Sequence, residues 1–291
     1  PFDAVLWDGT DAATYHNRYP EDWARLNREV IEEEGLVGEV VFFTRSGFTR
    51  SPGQSTLFWL GDQLTAWDRE DGLASAVIGL LSSGMSGFSL NHGDVGGYTA
   101  TTMARLPVSL PLVSFSRDRE LLQRWTEMCA FTAVFRTHEG NQPGRNHQIG
   151  DDEETLAHFA RFSRVYAALA PYREELFAEA AERGAPVVRH MWLEFPEERA
   201  VRDLEGQFML GSQIVVAPVL APGAATIRLF LPPGQWTHLW TGVTYDSPAG
   251  GYLYEVPCPI GEPAVFYRAS WKGASALRET LTESGDLTTP G

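Results

Sequence analysis

A change of texture near residue 205 constrains this chain more than any other feature. Downstream, short β-forming runs at 213–217, 226–231, 235–240, 253–256 and 264–268 are punctuated by Pro218, Pro222, Gly223, Pro232, Pro233, Gly234, Gly250, Gly251 and Pro257. Regular strand-and-turn spacing of this kind predicts an antiparallel β-sandwich over 205–291. Upstream, strand-like runs alternate with helical periodicity, which predicts parallel βα units over 1–204.

The upstream pattern is specific. Trp23, Leu26, Val30 and Ile31 recur at helical spacing in 20–34, with acids in the first turn and Gly35 after the end. The run 37–44 is apolar on both faces at its end, as a covered parallel strand would be. A second strand is predicted at 56–60, a helix over 73–85 and a strand at 87–90, then a helix at 117–131 and a strand at 133–136. Asp151 and Glu154 form a capping box for a long helix to about 169, where Pro171 interrupts it before a second helix running to Gly184. A complete (β/α)8 barrel takes about 250 residues. The upstream region holds roughly four strands, so the C-terminal half of a TIM barrel is expected, followed by the sandwich. Such a half barrel would expose strand edges and apolar surface, so either poor stability of the monomer or association, as in a homo-oligomer, is expected.

Composition narrows the function. Of 291 residues 43% are hydrophobic, and 23 Lys+Arg against 38 Asp+Glu leave a net charge of −15. No basic surface is available to neutralise phosphates, so nucleic acid is excluded as a partner. Cys129 and Cys258 are far apart and outside any C-x-x-C, which argues against a disulfide framework and a zinc site and points to the cytoplasm. The segment 72–93 lacks Asp, Glu, Lys and Arg, but its serines and glycines interrupt it, so it reads as a buried helix leading to a buried strand rather than a membrane span. His138 and Glu139 begin like H-E-x-x-H, but Gln142 stands where the second His must lie, and no phosphate-binding or nucleophile-elbow pattern occurs. His92 and Asp94 alone are weak metal ligands. Neither a metal nor a cofactor is expected.

Polar residues remain at four successive strand ends, where parallel barrels place their chemistry. They are Arg45, Asp62, the pair His92 and Asp94, and the pair Arg136 and His138. Asp62 lies among Phe58, Trp59 and Trp67; lost hydration there would raise its pKa and suit a general acid, while capping of a following turn is the plainer alternative. Arg45 and Asp94 read as a buried ion pair, as groups that hold a substrate hydroxyl, or as both.

Four ordered motifs, FFTRSG at 42–47, WLGDQ at 59–63, NHGDVGGY at 91–98 and RTHEGN at 136–141, together resemble glycoside hydrolase family 31, most closely its sulfoquinovosidase branch. GSQIVVAPV at 211–219 and LPPGQW at 231–236 are similar to the first sandwich domain that follows the barrel in that family. The resemblance implies a retaining α-glycosidase acting on α-sulfoquinovosides such as sulfoquinovosyl glycerol. It makes Asp62 the general acid/base, Arg45 and His138 donors to sugar hydroxyls, Asp94 an orienting partner and Tyr98 a sulfonate contact. Gln63 and Tyr98 favour this branch over α-glucosidases. The family's nucleophilic Asp lies in an acidic motif at an earlier strand end, and the Arg and Trp completing the sulfonate pocket also lie upstream. Asp3 and Asp8 do not replace that nucleophile, so the chain is expected to be incomplete. Its length between 101 and 116, an apolar stretch, exceeds the family's usual pattern. An α-glucosidase or α-xylosidase of the same family, or a non-catalytic carbohydrate-binding remnant, are the alternatives.

Overall fold

The computed structural model describes residues 3–103 and 113–287, and falls into two compact units, 1–59 and 60–291. The middle of the 101–116 stretch, 104–112, lies outside the described residues.

The first unit contains α1 (Ala12–Tyr15), α2 (Tyr19–Glu33), β1 (Phe43–Thr44) and β2 (Leu57–Trp59). Pro20 in the first turn and Glu21 and Asp22 beside it start α2 where the amide dipoles favour negative charge. Its apolar stripe is only partly buried. Ala24 and Ile31 are buried, while Trp23, Leu26 and Val30 are about half exposed. The strand expected over 37–44 shrinks to β1, which pairs in parallel with β2 at Phe43↔Leu57 and Thr44↔Phe58. A turn closed by the Glu39 N–H on the Leu36 carbonyl, with Gly38 at φ +89°, takes up the start of the run. Val37, Val40 and Val41 are 42 to 62% exposed, against the covered strand predicted. The physical reason is that ladder pairing is limited to Phe43 and Thr44, so the rest of the run, in turn and coil, presents no sheet face to be covered.

The second unit continues with α3 (Leu73–Met85), β3 (Asn91–His92), the hairpin β4 (Thr101–Met103) and β5 (Val113–Phe115), α4 (Arg119–Cys129), α5 (Glu153–Ala168) and α6 (Ala170–Arg183). The stretch 72–93 is largely the buried α3, and among the described residues no helix is long and apolar enough to cross a membrane. The cap of α5 is Asp152, whose carboxylate accepts the Thr155 N–H at 2.8 Å, one residue beyond the Asp151 expected; Asp151 instead accepts from the Gln148 N–H. Pro171 occupies the first turn of α6, and Gly184 ends it in the left-handed conformation. No ladder forms at 133–136; the strand is reduced to a parallel bridge between Val95 and Thr137. The strand expected at 87–90 likewise falls just beyond it, at β3.

Eight further elements are β6 (Val188–Arg189), α7 (Met191–Glu194), β7 (Phe208–Leu210), β8 (Ile214–Ala217), β9 (Thr226–Leu231), β10 (Gly234–His238), β11 (Thr244–Ser247) and β12 (Tyr252–Pro257), followed by β13 (Ala264–Arg268) and α8 (Ala274–Glu283). Six strands form one antiparallel sheet in the order β11-β10-β13-β8-β7-β6, and β9 pairs with β12 in a second. Strands β7, β8 and β13 of the six-stranded sheet are covered on both faces. Ile214 and Val216 of β8 face the core shared with α3, α4, α5 and α6, while Val215 and Ala217 face the core shared with β9 and β12. Phe208 and Leu210 against Met209, and Val265 and Tyr267 against Ala264 and Phe266, repeat that alternation. The two-residue period of a strand therefore explains why these runs are apolar throughout.

Candidate active site

Main-chain bonds tie three strand ends together side by side. The Leu60 N–H donates to the His92 carbonyl at 2.9 Å, and the Gln63 carbonyl accepts from the Tyr98 and Thr99 N–H groups, each at 2.9 Å. Parallel bridges join Leu64 to Thr99 and Val95 to Thr137, and the Asn141 N–H reaches the Tyr98 carbonyl at 3.1 Å. Asp62, Asp94, Tyr98, Arg136 and His138 are thus carried on neighbouring strand ends.

Asp62 is half-buried, and its carbonyl accepts the Thr99 hydroxyl at 3.0 Å. The Gln63 amide turns into the protein, where Nε2 donates to Ser75 Oγ at 3.1 Å and to the Gly72 carbonyl at 3.3 Å at the start of α3. Gln63 thereby anchors the turn that presents Asp62. Asp94 is 1% exposed and forms an ion pair with Arg136, which is about one-third exposed. Beneath this loop, burial first and the Asp94 charge second push the Cys129 thiol pKa up; its Sγ lies 4.0 Å from the Gly93 carbonyl. A thiolate is disfavoured there.

Tyr98 and His138 meet edge to face, with ring centroids 4.7 Å apart and planes at 85°. His138 Nδ1 accepts the Gly140 N–H at 3.1 Å. A neutral ring then carries its proton on Nε2, which makes that nitrogen a donor toward an acceptor such as a hydroxyl oxygen. Arg45 belongs to the first unit, where it follows β1 and lays its guanidinium 5.2 Å from the Trp59 ring centroid.

Two groups that matter to this geometry were not assigned a role from sequence. Arg136 was recognised only as a strand-end residue, yet it is the partner of Asp94. Asn141 sits at the end of the fourth motif, and its Oδ1 accepts the Ala100 N–H at 2.8 Å, fixing the base of the hairpin. The density of polar residues within the motif was the available signal.

Polar side chains at the ends of laterally joined parallel strands, with outer helices packed on an antiparallel sheet, define a barrel-type domain with an appended β domain. Residues 4–175 match the glycosyl hydrolases family 31 TIM-barrel domain, and residues 184–270 match the glycosyl hydrolase family 31 C-terminal domain. The chain belongs to glycosyl hydrolase family 31. It is 44% identical over 270 residues to a sulfoquinovosidase from Agrobacterium fabrum, covering 92% of this chain and 39% of that protein. The corresponding values for the Escherichia coli sulfoquinovosidase are 43%, 94% and 38%. Alpha-glucosidase 2 of Bacillus thermoamyloliquefaciens is 29% identical, over 77% of this chain and 26% of its own length. Among solved structures, a family 31 sulfoquinovosidase from E. rectale in complex with the aza-sugar inhibitor IFGSQ superposes with a TM-score of 0.88 at 37% identity, covering 97% of this chain and 40% of that one. The chain spans about two fifths of the length of the sulfoquinovosidases it matches.

Proposed function

We propose that this chain supplies the general acid/base and sugar-binding groups of a retaining α-glycosidase that hydrolyses α-sulfoquinovosides. The observation carrying the reading is the identity gap, 44% to a sulfoquinovosidase against 29% to an α-glucosidase, joined to a site where Asp62, the Asp94–Arg136 pair and the Tyr98–His138 pair share neighbouring strand ends.

A retaining mechanism takes two carboxyl groups about 5–5.5 Å apart. Asp62 is assigned as acid/base, and the nucleophilic carboxylate is drawn from the part of the relatives' length that this chain does not span. In the first step Asp62 protonates the glycosidic oxygen as that carboxylate attacks the anomeric carbon, breaking the C–O bond and forming a glycosyl ester. In the second, the Asp62 carboxylate takes a proton from water, whose oxygen attacks the same carbon and frees the nucleophile. The Nε2 proton of His138 and the guanidinium of Arg45 would hold sugar hydroxyls, Asp94 would orient, and the Tyr98 hydroxyl would contact the sulfonate. Gln63 acts through the turn it anchors. The net charge of −15 slows encounter with an anionic sugar, while local donors decide its binding.

Asp62→Asn in the natural full-length protein tests the assignment. Hydrolysis of an alkyl α-sulfoquinovoside, whose leaving oxygen needs a proton, is expected to fall by about 10²–10⁴-fold. Retention of more than about a tenth of the rate would be outside the range of general acid catalysis and would remove Asp62 from the role.

A further inference from the structure

The two loops that carry the proposed sugar-facing residues are joined by a side chain that bonds them through their main chain. Arg117 lies just before α4 and is 3% exposed. Its Nη1 donates both to the His138 carbonyl at 3.0 Å and to the Val95 carbonyl at 3.4 Å, so one nitrogen bridges the residue after Asp94 and His138 itself. Nε donates to the His147 carbonyl at 2.8 Å and Nη2 to Gln148 Oε1 at 3.1 Å. Gln148 in turn donates through Nε2 to the carbonyls of Glu139, Pro143 and Asn146. The Arg117 main chain closes the ring, its N–H on Asn146 Oδ1 at 3.0 Å and its carbonyl on the His147 N–H at 2.8 Å.

Every acceptor of this buried guanidinium is a neutral oxygen. Burial pulls its pKa down to about 10, which leaves it charged at neutral pH, with the charge of Asp151 acting in the opposite sense. A cation taken out of water without a hydrogen-bonded carboxylate is costly, and the rigid planar fork aims Nη1 at both loops while Nε and Nη2 are held by His147 and Gln148. The backbone makes room for it. At Gly96, φ is +85° and an added Cβ would lie 2.5 Å from Arg117 Cδ, so the chain passes against the guanidinium stem where a side chain would collide.

We infer that Arg117 is a positioning residue that locks the 95–98 loop and the loop beginning at His138 into one frame, and so fixes the Tyr98–His138 pair for the bound sugar. The inference rests on the proposed reading of that pair as sugar-facing. Arg117 touches no substrate in this account and acts through the main chain of the residues that do.

The test is a double-mutant cycle in the natural full-length protein, built from Arg117→Lys, His138→Ala and their combination. Lysine keeps the buried charge, but its nitrogen ends one bond short of Nη1 and has no fork to be held by His147 and Gln148. Values of kcat/KM are measured on whichever α-glycoside the wild type turns over. Arg117→Lys alone is expected to lower kcat/KM about 10-fold, and to add about 2-fold or less once His138 is already alanine, because contacting groups couple and independent ones do not. Equal factors in both backgrounds would overturn the inference. A second readout needs no turnover: the His138 Cε1–H resonance is expected to move in Arg117→Lys, and an unchanged signal would overturn the inference as well. If Arg117→Lys does not fold, Gln148→Met, which removes the Nη2 acceptor and the Nε2 bonds to three carbonyls while leaving Nη1 on both loops, goes through the same cycle. A wild type that prefers α-glucosides would refute the proposed substrate and leave the cycle readable.

Discussion

Glu127→Ala should expose how the two halves of the larger unit are held together. Glu127 on α4 is buried beside Arg124, with Nη1 to Oε2 at 2.9 Å, and its Oε1 accepts the Gly261 N–H at 2.6 Å from the turn between β12 and β13. Arg124 donates to the Cys258 and Pro259 carbonyls in that turn at 2.7 and 3.2 Å. Removing one partner of a buried pair costs about 3–5 kcal/mol, because the remaining charge stays buried. Arg124 keeps its two carbonyl acceptors in the variant, which places the loss near the lower end, about 3 kcal/mol. At about 2–4 °C per kcal/mol for a unit of this size, the melting temperature should fall by about 6–12 °C. Thermal unfolding followed by circular dichroism at pH 8 is the assay. Arg124→Met combined with Glu127→Leu should recover much of the loss, since an apolar pair pays no desolvation penalty. A Glu127→Ala melt within about 1 °C of wild type would refute the claim that this cluster is a clamp, being well below the drop calculated for a broken buried pair.

Burial pushes Glu127 up to about 7 and, 3.7 Å away, holds His158 down to about 4. The two act in opposite directions. The stability linked to the proton on Glu127, separate from that of its ionised pair with Arg124, is fully present below about 4.5 and is lost as pH rises through about 7, whereas that linked to neutral His158 is present above about 6.5 and is lost as pH falls through about 4. His158→Gln should therefore weaken acid destabilisation between those limits, measured as the slope of urea midpoint against pH, and an unchanged slope would contradict it. His238, also buried and held down to about 4, should give the same sign in His238→Gln. Tyr172→Phe should cost about 1–2 kcal/mol in urea denaturation, because its hydroxyl donates to the Leu210 carbonyl and accepts the Gln213 N–H, both at 3.1 Å, linking α6 to the turn between β7 and β8. No loss there would show that the hydroxyl pairs only nominally.

Helices were legible where periodicity and caps agree. The apolar spacing over 73–85 marks α3 to the residue, and Pro171 and Gly184 delimit α6. Strands were harder because several are only two or three residues long and exist through lateral pairing. The β6 and β7 runs carry too few residues to show a period, and the apolar side chains of 133–136 gave no sign that only Thr137 would bridge. The antiparallel sheet also takes its first strand from Val188–Arg189, upstream of the change in texture at 205. The C-terminal helix α8 went unread because the strand-and-turn pattern ends at Arg268. At the site, the strand-end residues were visible as motifs, and Asp94 pairing with a guanidinium was anticipated in kind. Arg136 as a partner and Arg117 as a clamp were not. Arg117 binds mainly to backbone carbonyls, and every residue has one of those, so the sequence carries no mark of which will be used.

The central claim is that the sulfonated sugar is the substrate of the protein to which this chain's site contributes. It is tested most directly by the ratio of kcat/KM for a p-nitrophenyl α-sulfoquinovoside to that for the matching α-glucoside, in wild type and in Tyr98→Phe. The account predicts a strong wild-type preference for the sulfonated substrate that falls by about 10-fold when the hydroxyl is removed, the loss of a hydrogen bond to a charged group. A wild-type ratio at or below one, or a Tyr98→Phe variant that loses both activities equally, would contradict it.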